Sequence, residues 1–186
     1  MTFWCRCRGV MADMLAIHKY RHSDLPAKRS DELRLLANNE FDQFPIVRQT
    51  VWTTPDWSFL GMDEHNLACF YNLVERVVRF DDQPVEIVGL NNLVTAPGYK
   101  SRGLASELLR STEAEWFTTL KARYGLLLCA DHLIPFYARL GWQRVSSEVR
   151  YSQPERKHVW TANCMVLSPA RERVEPHVID LCGLPW

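Results

Sequence analysis

The chain lacks a surplus of charge of either sign: Lys and Arg number 22, and so do Asp and Glu, among 186 residues. Equal counts leave no global field to draw nucleic acid or an anionic membrane. No apolar run is long enough to span a bilayer. The first residues mix charge with apolar side chains and lack the continuous apolar core of a signal peptide. The six cysteines are scattered, and Cys5 and Cys7 form their one close pair, without a second pair or a histidine cluster at metal spacing. The six histidines are equally dispersed, with no H-x-x-x-H. These gaps give no metal site and no disulfide framework, and they predict reduced thiols in a cytoplasmic protein. Both Gly-rich nucleotide fingerprints, G-x-G-x-x-G and G-x-x-x-x-G-K-[ST], are missing as well.

What is there is one domain's worth of patterned sequence. Residues 1–13 read as a leader and 14–186 as a single domain. Met14 to His22 reads as a strand. Ser23 is placed to cap a helix with Pro26 in its first turn, and Leu33, Leu36, Ala37 and Phe41 give that helix an apolar face. Residues 45–55 read as loop. Trp57–Met62, Leu67–Phe80 and Val85–Val94 form an antiparallel meander, with a bulge expected near Glu75 and Arg76. A helix follows Gly103 to about Tyr124, with Ala105, Leu108, Leu109, Thr112, Trp116 and Leu120 on its buried side and Gly125 as its C-cap. Tyr124 to Ala130 is a continuous apolar run, as in a strand covered on both faces. Asp131 is placed to cap a short helix holding Tyr137, which Gly141 ends. Trp142–Tyr151 and Val159–Leu167 read as the last two strands. The order β-α-β-β-β-α-β-α-β-β argues for a mixed α/β sheet with helices on both sides.

The organising stretch is the strand–loop–helix around Gly103. A helix start offers unpaired N–H groups and the positive end of its dipole to an anion. Gly103 leaves room for a phosphate, and Lys100 and Arg102 add charge. Two motifs flank this design: Lys100-Ser101-Arg102-Gly103-Leu104-Ala105, and downstream Phe136-Tyr137-Ala138-Arg139-Leu140-Gly141-Trp142.

Together these motifs resemble the two hallmarks of the GNAT superfamily of N-acyltransferases. The resemblance implies a largely antiparallel mixed sheet with splayed central parallel strands and helices on both faces. It implies acetyl-CoA as acyl donor, no metal, and a small-molecule amine as acceptor. Lys100, Ser101, Arg102, Gly103, Leu104 and Ala105 would hold the pyrophosphate, and the backbone of Leu93, Val94 and Thr95 the pantetheine. A backbone N–H at Leu93 or Val94 would face the thioester oxygen, and Tyr137 would protonate the leaving thiolate. Where many relatives carry a Glu on the motif strand, this chain has Asn91-Asn92, which cannot take a proton at neutral pH. Glu64, Glu86, Asp131, His132 and the terminal carboxylate remain as candidate bases beside a water chain. The segment ending in Trp186 is similar to the end of aminoglycoside 2′-N-acetyltransferases, which implies that Asn91, Asp131 and Trp186 border the acceptor. Leu184 and Asn91 depart from that branch, where acids stand. A non-catalytic CoA-binding module of the same fold is the alternative, and a homodimer is compatible with either.

Overall fold

The computed structural model of the chain describes residues 15–186; the leader and the Cys5–Cys7 pair lie outside them. The elements in chain order are β1 (Ala16–Arg21), α1 (Ala27–Phe41), α2 (Pro45–Gln49), β2 (Trp57–Asp63), β3 (Asn66–Phe80), β4 (Gln83–Thr95), α3 (Leu104–Thr118), β5 (Tyr124–Cys129), α4 (Ile134–Ala138), β6 (Gln143–Val145), β7 (Glu148–Ser152), β8 (Lys157–Val159), β9 (Asn163–Leu167) and β10 (Val178–Asp180). All ten strands join one sheet. β1 to β4 are antiparallel neighbours, β4 pairs β5 in parallel, and β9 and then β6 extend the sheet antiparallel beyond β5. β10 lies against the far end of β3 and parallel to β7, which pairs β8.

Alternation along the strands sorts side chains to two faces. Phe59, Tyr71, Leu73, Val88 and Leu90 point to the α3 and α4 side, where Leu108, Trp116 and Tyr137 complete the core. Leu60, Phe70 and Val94 point to the other side and meet Leu33, Leu36, Ala37 and Phe41 of α1. Further along that second face Val74, Val78, Ile87 and Leu126 pack with Ile179, Leu181 and Trp186. The Trp116 indole donates to the Tyr71 hydroxyl at 3.0 Å, and that hydroxyl meets Thr112 Oγ1 at 2.6 Å. The α3 face thus satisfies its buried polar atoms internally.

Several local expectations are corrected. Ser23 does not cap α1; it sits in a 3₁₀ turn and donates to Asp24, while Pro26 stands at the N-cap. Pro45 starts a helical turn, α2, where loop was expected, because its fixed φ suits a first helical residue. β3 has no register shift at Glu75; the shifts fall at Gly61/Met62 and opposite Phe70–Asn72. α3 ends at Thr118, and Lys121 rather than Gly125 takes the left-handed conformation after it. Gly125 lies within β5, where a Cβ would stand 3.0 Å from the Trp142 ring; its role is to admit that ring. Asp131 caps no helix; its carboxylate accepts from Asn163 Nδ2 at 2.7 Å. The stretch from Trp142 to Tyr151 divides into β6 and β7, which pair with different strands. β8 and β9 likewise divide the next run.

Candidate active site

β4 carries the site. Its parallel pairing with β5 stops at Leu90–Leu127, yet β4 continues to Thr95. On its other edge Asn91 pairs Asn72 and Val94 pairs Phe70, so Asn92 and Leu93 together face the single residue Tyr71. This is a bulge, and Asn92 takes φ +50° within it, a conformation that Asn tolerates better than most residues. A bulge bends its strand. Here pairing between the two central strands ends at Leu90, just before the bulge, leaving Leu93, Val94 and Thr95 beside a gap.

After β4 the chain makes a 3₁₀ turn at Pro97–Tyr99 and reaches α3 through Ser101 at φ +63° and Gly103 at φ +80°. Gly103 is the N-cap, and its carbonyl accepts from Glu107 N–H at 3.0 Å. No side chain caps the first turn of α3. Its leading N–H groups are therefore free to bind an anion. A Cβ on Gly103 would meet no heavy atom within 4 Å, so the glycine is required by its left-handed φ and by the open space before the helix.

Gap and loop share one cavity of about 450 Å³. It is lined by Leu93, Val94, Thr95, Lys100, Ser101, Gly103, Leu104, Ala105 and Tyr137, so nine residues singled out in the sequence meet there. Arg102 does not line it; its guanidinium lies 5.3 Å from the Tyr99 ring centre. Lys100 is not an isolated charge. Its Nζ pairs with Glu40 of α1 at 2.7 Å, and Glu40 is the one carboxylate lining the cavity. Glu40, Tyr99, Ser106, Leu133 and Phe136 complete the walls. Phe136 was visible in its motif, whereas Glu40 reaches the loop only because α1 crosses that end of the sheet.

Tyr137 sits on α4 with 7 % of its surface exposed, edge-on to Phe136 and Trp142 at centroid distances of 5.0 and 6.0 Å. Among the described residues its hydroxyl has no hydrogen-bond partner. Burial first, and the neighbouring Cys129 second, push its pKa up, so the phenol holds its proton firmly. Cys129 is itself pushed up to about 11, by burial and then by Asp131, and stands as a thiol.

The other sequence candidates fall elsewhere. Glu64, Glu86, Asp131 and His132 do not line the cavity. Asn91 lies on the opposite face of β4 from Leu90, in line with Asn72 and Ser58 on the neighbouring strands. Ser58 Oγ donates to Asn72 Oδ1 at 2.7 Å and meets His22 Nδ1 at 2.7 Å. This row His22–Ser58–Asn72–Asn91 separates the cluster under α1 from the cluster under the tail. It carries no residue of the two motifs and had no local signal. Trp186 is buried in the second cluster, its ring directly over Gly89. Arg76 holds the tail through Leu184 O at 2.6 Å, and Thr53 N–H donates to Pro185 O at 2.9 Å. The terminal Trp is therefore a packed anchor and not a loose lid.

Comparisons with known proteins bear on the family and the fold. A family model described as an acetyltransferase (GNAT) domain matches residues 32–145. ElaA of Escherichia coli is 18 % identical with TM-score 0.60, the match covering 83 % of this chain and 100 % of that one. The GNAT family N-acetyltransferase YhbS of Escherichia coli, solved with CoA, is 14 % identical with TM-score 0.58 over 91 % of each chain. A GNAT family acetyltransferase of Brucella melitensis, solved with acetyl-CoA, is 12 % identical with TM-score 0.53, over 87 % of this chain and 93 % of that one. No curated protein sequence matches the chain.

Proposed function

The chain belongs to the acetyltransferase (GNAT) family, and from that premise we propose that it transfers an acetyl group from acetyl-CoA to the primary amine of a small molecule by direct attack on the thioester. One observation carries this reading: a single cavity joins the unpaired edge of β4, the open N-terminus of α3 and the Tyr137 ring. The residues present suit the donor. The first N–H groups of α3 and Ser101 take the pyrophosphate, with Lys100 and Arg102 nearby. The β4 edge from Leu93 to Thr95 offers backbone groups to the amide-containing arm.

The chemistry follows from these placements. Leu93 has no ladder partner on β3 or β5, so its N–H is the natural donor to the thioester oxygen as negative charge builds there. The neutral amine forms the new N–C bond as the C–S bond breaks. Tyr137 gives its proton to the departing sulfur, and the phenolate recovers one from water. The amine's surplus proton leaves to water, since Glu40 is held by Lys100 and no other carboxylate lines the cavity. On this reading residues 14–186 act as one acyltransferase domain in the cytoplasm, alone or as a homodimer, with no role for a metal, nucleic acid or membrane.

The resemblance of the segment through Trp186 to aminoglycoside 2′-N-acetyltransferases supports a narrower reading of that kind. Asn91 and Leu184 stand where that branch carries acids, which weakens attraction for a polycationic sugar. A thiol-release assay with acetyl-CoA against simple amines, polyamines, amino-acid amides and an aminoglycoside separates the readings. We expect release with small amines. Release with the aminoglycoside alone selects the narrower reading. Tight acetyl-CoA binding without release from any amine leaves a CoA-binding module and overturns the acetyl-transfer proposal.

A further inference from the structure

The cavity is suited to an anion, yet one of its walls is a carboxylate. Glu40 lines the same space as Ser101, Gly103 and the uncapped start of α3. Packing puts it there. Leu33, Leu36, Ala37 and Phe41 fasten α1 to the sheet against Leu60, Phe70 and Val94, and Val94 itself lines the cavity. Glu40 shares the last turn of α1 with Ala37 and Phe41, so the contacts that seat the helix also bring the carboxylate to the cavity. Two features oppose a negative charge at that point. The C-terminal end of a helix is the negative pole of its dipole, and Glu40 is the penultimate residue of α1. The other is the charge of the phosphates that the start of α3 would receive.

Lys100 balances that charge. Its Nζ stands 2.7 Å from Glu40 Oε2, and the two side chains keep 50 and 42 % of their surface exposed, so a ligand can reach both. A pair so exposed contributes little to stability. Its effect falls on the ligand instead. Arg102 lies outside the cavity, beside the Tyr99 ring. Among the described residues Lys100 is thus the one cation lining the cavity and Glu40 the one anion, and their charges cancel. The N–H groups of α3 are left to hold the phosphates, and the lysine is available to them only in competition with Glu40.

We propose that Glu40 is a positioning residue for the acyl donor: it holds Lys100 at the phosphate end of the cavity, so that the pyrophosphate of the donor competes with its carboxylate for the lysine. The proposal rests on the acetyl-CoA reading of this cavity. Acetyl-CoA and CoA carry the same pyrophosphate, so Glu40 weakens the hold on both alike. It thereby favours departure of CoA once the acyl group has been transferred. A neutral residue at this position would bind the donor more tightly and release the product more slowly.

The test is calorimetry of CoA and of acetyl-CoA with the wild type, Glu40→Gln, Lys100→Met and the double variant. Glu40→Gln keeps the size of the side chain and removes its charge. It should tighten both ligands by the same factor, roughly three- to tenfold, the effect of one or two unit charges about 6 Å away in water. Added salt should narrow the gap between Glu40→Gln and the wild type. In the Lys100→Met background the same substitution should gain less, since no lysine is left to compete for. In turnover, Glu40→Gln should lower the KM for acetyl-CoA and strengthen inhibition by CoA by that shared factor. If the wild type binds CoA and Glu40→Gln binds it no more tightly, the proposal is overturned and the donor reading stands. Equal gains with and without Lys100 also overturn it, because Glu40 would then act on the phosphates alone. A gain for acetyl-CoA without one for CoA would place Glu40 at the acyl end and overturn it as well. If the wild type binds neither ligand, the donor reading falls and takes the proposal with it.

Discussion

At the scale of the residue, the proposed acid role of Tyr137 can be separated from its place in the core. Its ring is packed like any buried tyrosine, edge-on to Phe136 and Trp142, yet the residue also lines the cavity. Burial disfavours the phenolate, so the hydroxyl keeps its proton across the neutral range, the form that a proton donor needs. Tyr137→Phe retains the ring and its packing. We expect turnover to fall by roughly 10²–10⁴-fold, with the acetyl-CoA dissociation constant from calorimetry unchanged. Turnover at the parent rate would return Tyr137 to a purely structural place. The raised pKa also means that activity should not be lost at alkaline pH until beyond the usual phenol range.

At the scale of the element, strand β4, the left-handed turn and helix α3 form the working unit. Gly103→Val forces a β-branched residue to φ +80° at the helix mouth, which costs about 1–3 kcal/mol of strain or shifts the loop. We expect acetyl-CoA affinity to weaken at least about tenfold, while the Tyr137→Phe variant serves as a binding-competent reference. Calorimetry giving the parent value would show that the loop does not hold the donor. This unit was legible in the sequence because its signals are local: a glycine between strand and helix, and a helical stripe read from Ala105 to Leu120, of which Leu108, Leu109, Thr112 and Trp116 are buried. The meander of β2, β3 and β4 was legible for the same reason, since tight turns punctuate alternating strands. What was not legible depends on distant partners. Asp131 looks like a cap until Asn163 takes its carboxylate. The bulge at Asn92 has no composition of its own, and the breaks after Val145 and Val159 exist because β6, β7, β8 and β9 have different neighbours. The polar row from His22 to Asn91 draws one residue from each of four segments, so no window of sequence could display it.

At the scale of the whole molecule, the tail and the central strand are locked together. Trp186 lies on Gly89 because there is no Cβ to keep it off: an added methyl would sit 2.2 Å from its ring. Arg76 and Thr53 hold the backbone of the same tail, so the ring has little freedom to withdraw. Gly89→Ala should therefore destabilise the protein by about 1–3 kcal/mol through overpacking, read as a lowered Tm with a shift in tryptophan emission. An unchanged Tm would mean that the tail is only loosely seated. The parting of β4 from β5 has a consequence of another kind. Between Leu90 and Thr95 the centre of the sheet presents a raw strand edge, with backbone groups that would accept any extended peptide. Most proteins guard such edges at their periphery; this one has its edge inside the sheet, beside a cavity lined by Tyr137 and Phe136 of α4 and by the Lys100–Glu40 pair. The same hydrogen-bonding hunger that makes an outer edge a hazard for aggregation is here confined to a short stretch between two central strands. Whatever fills that slot completes the sheet, and it stabilises the fold in proportion to its concentration over its dissociation constant.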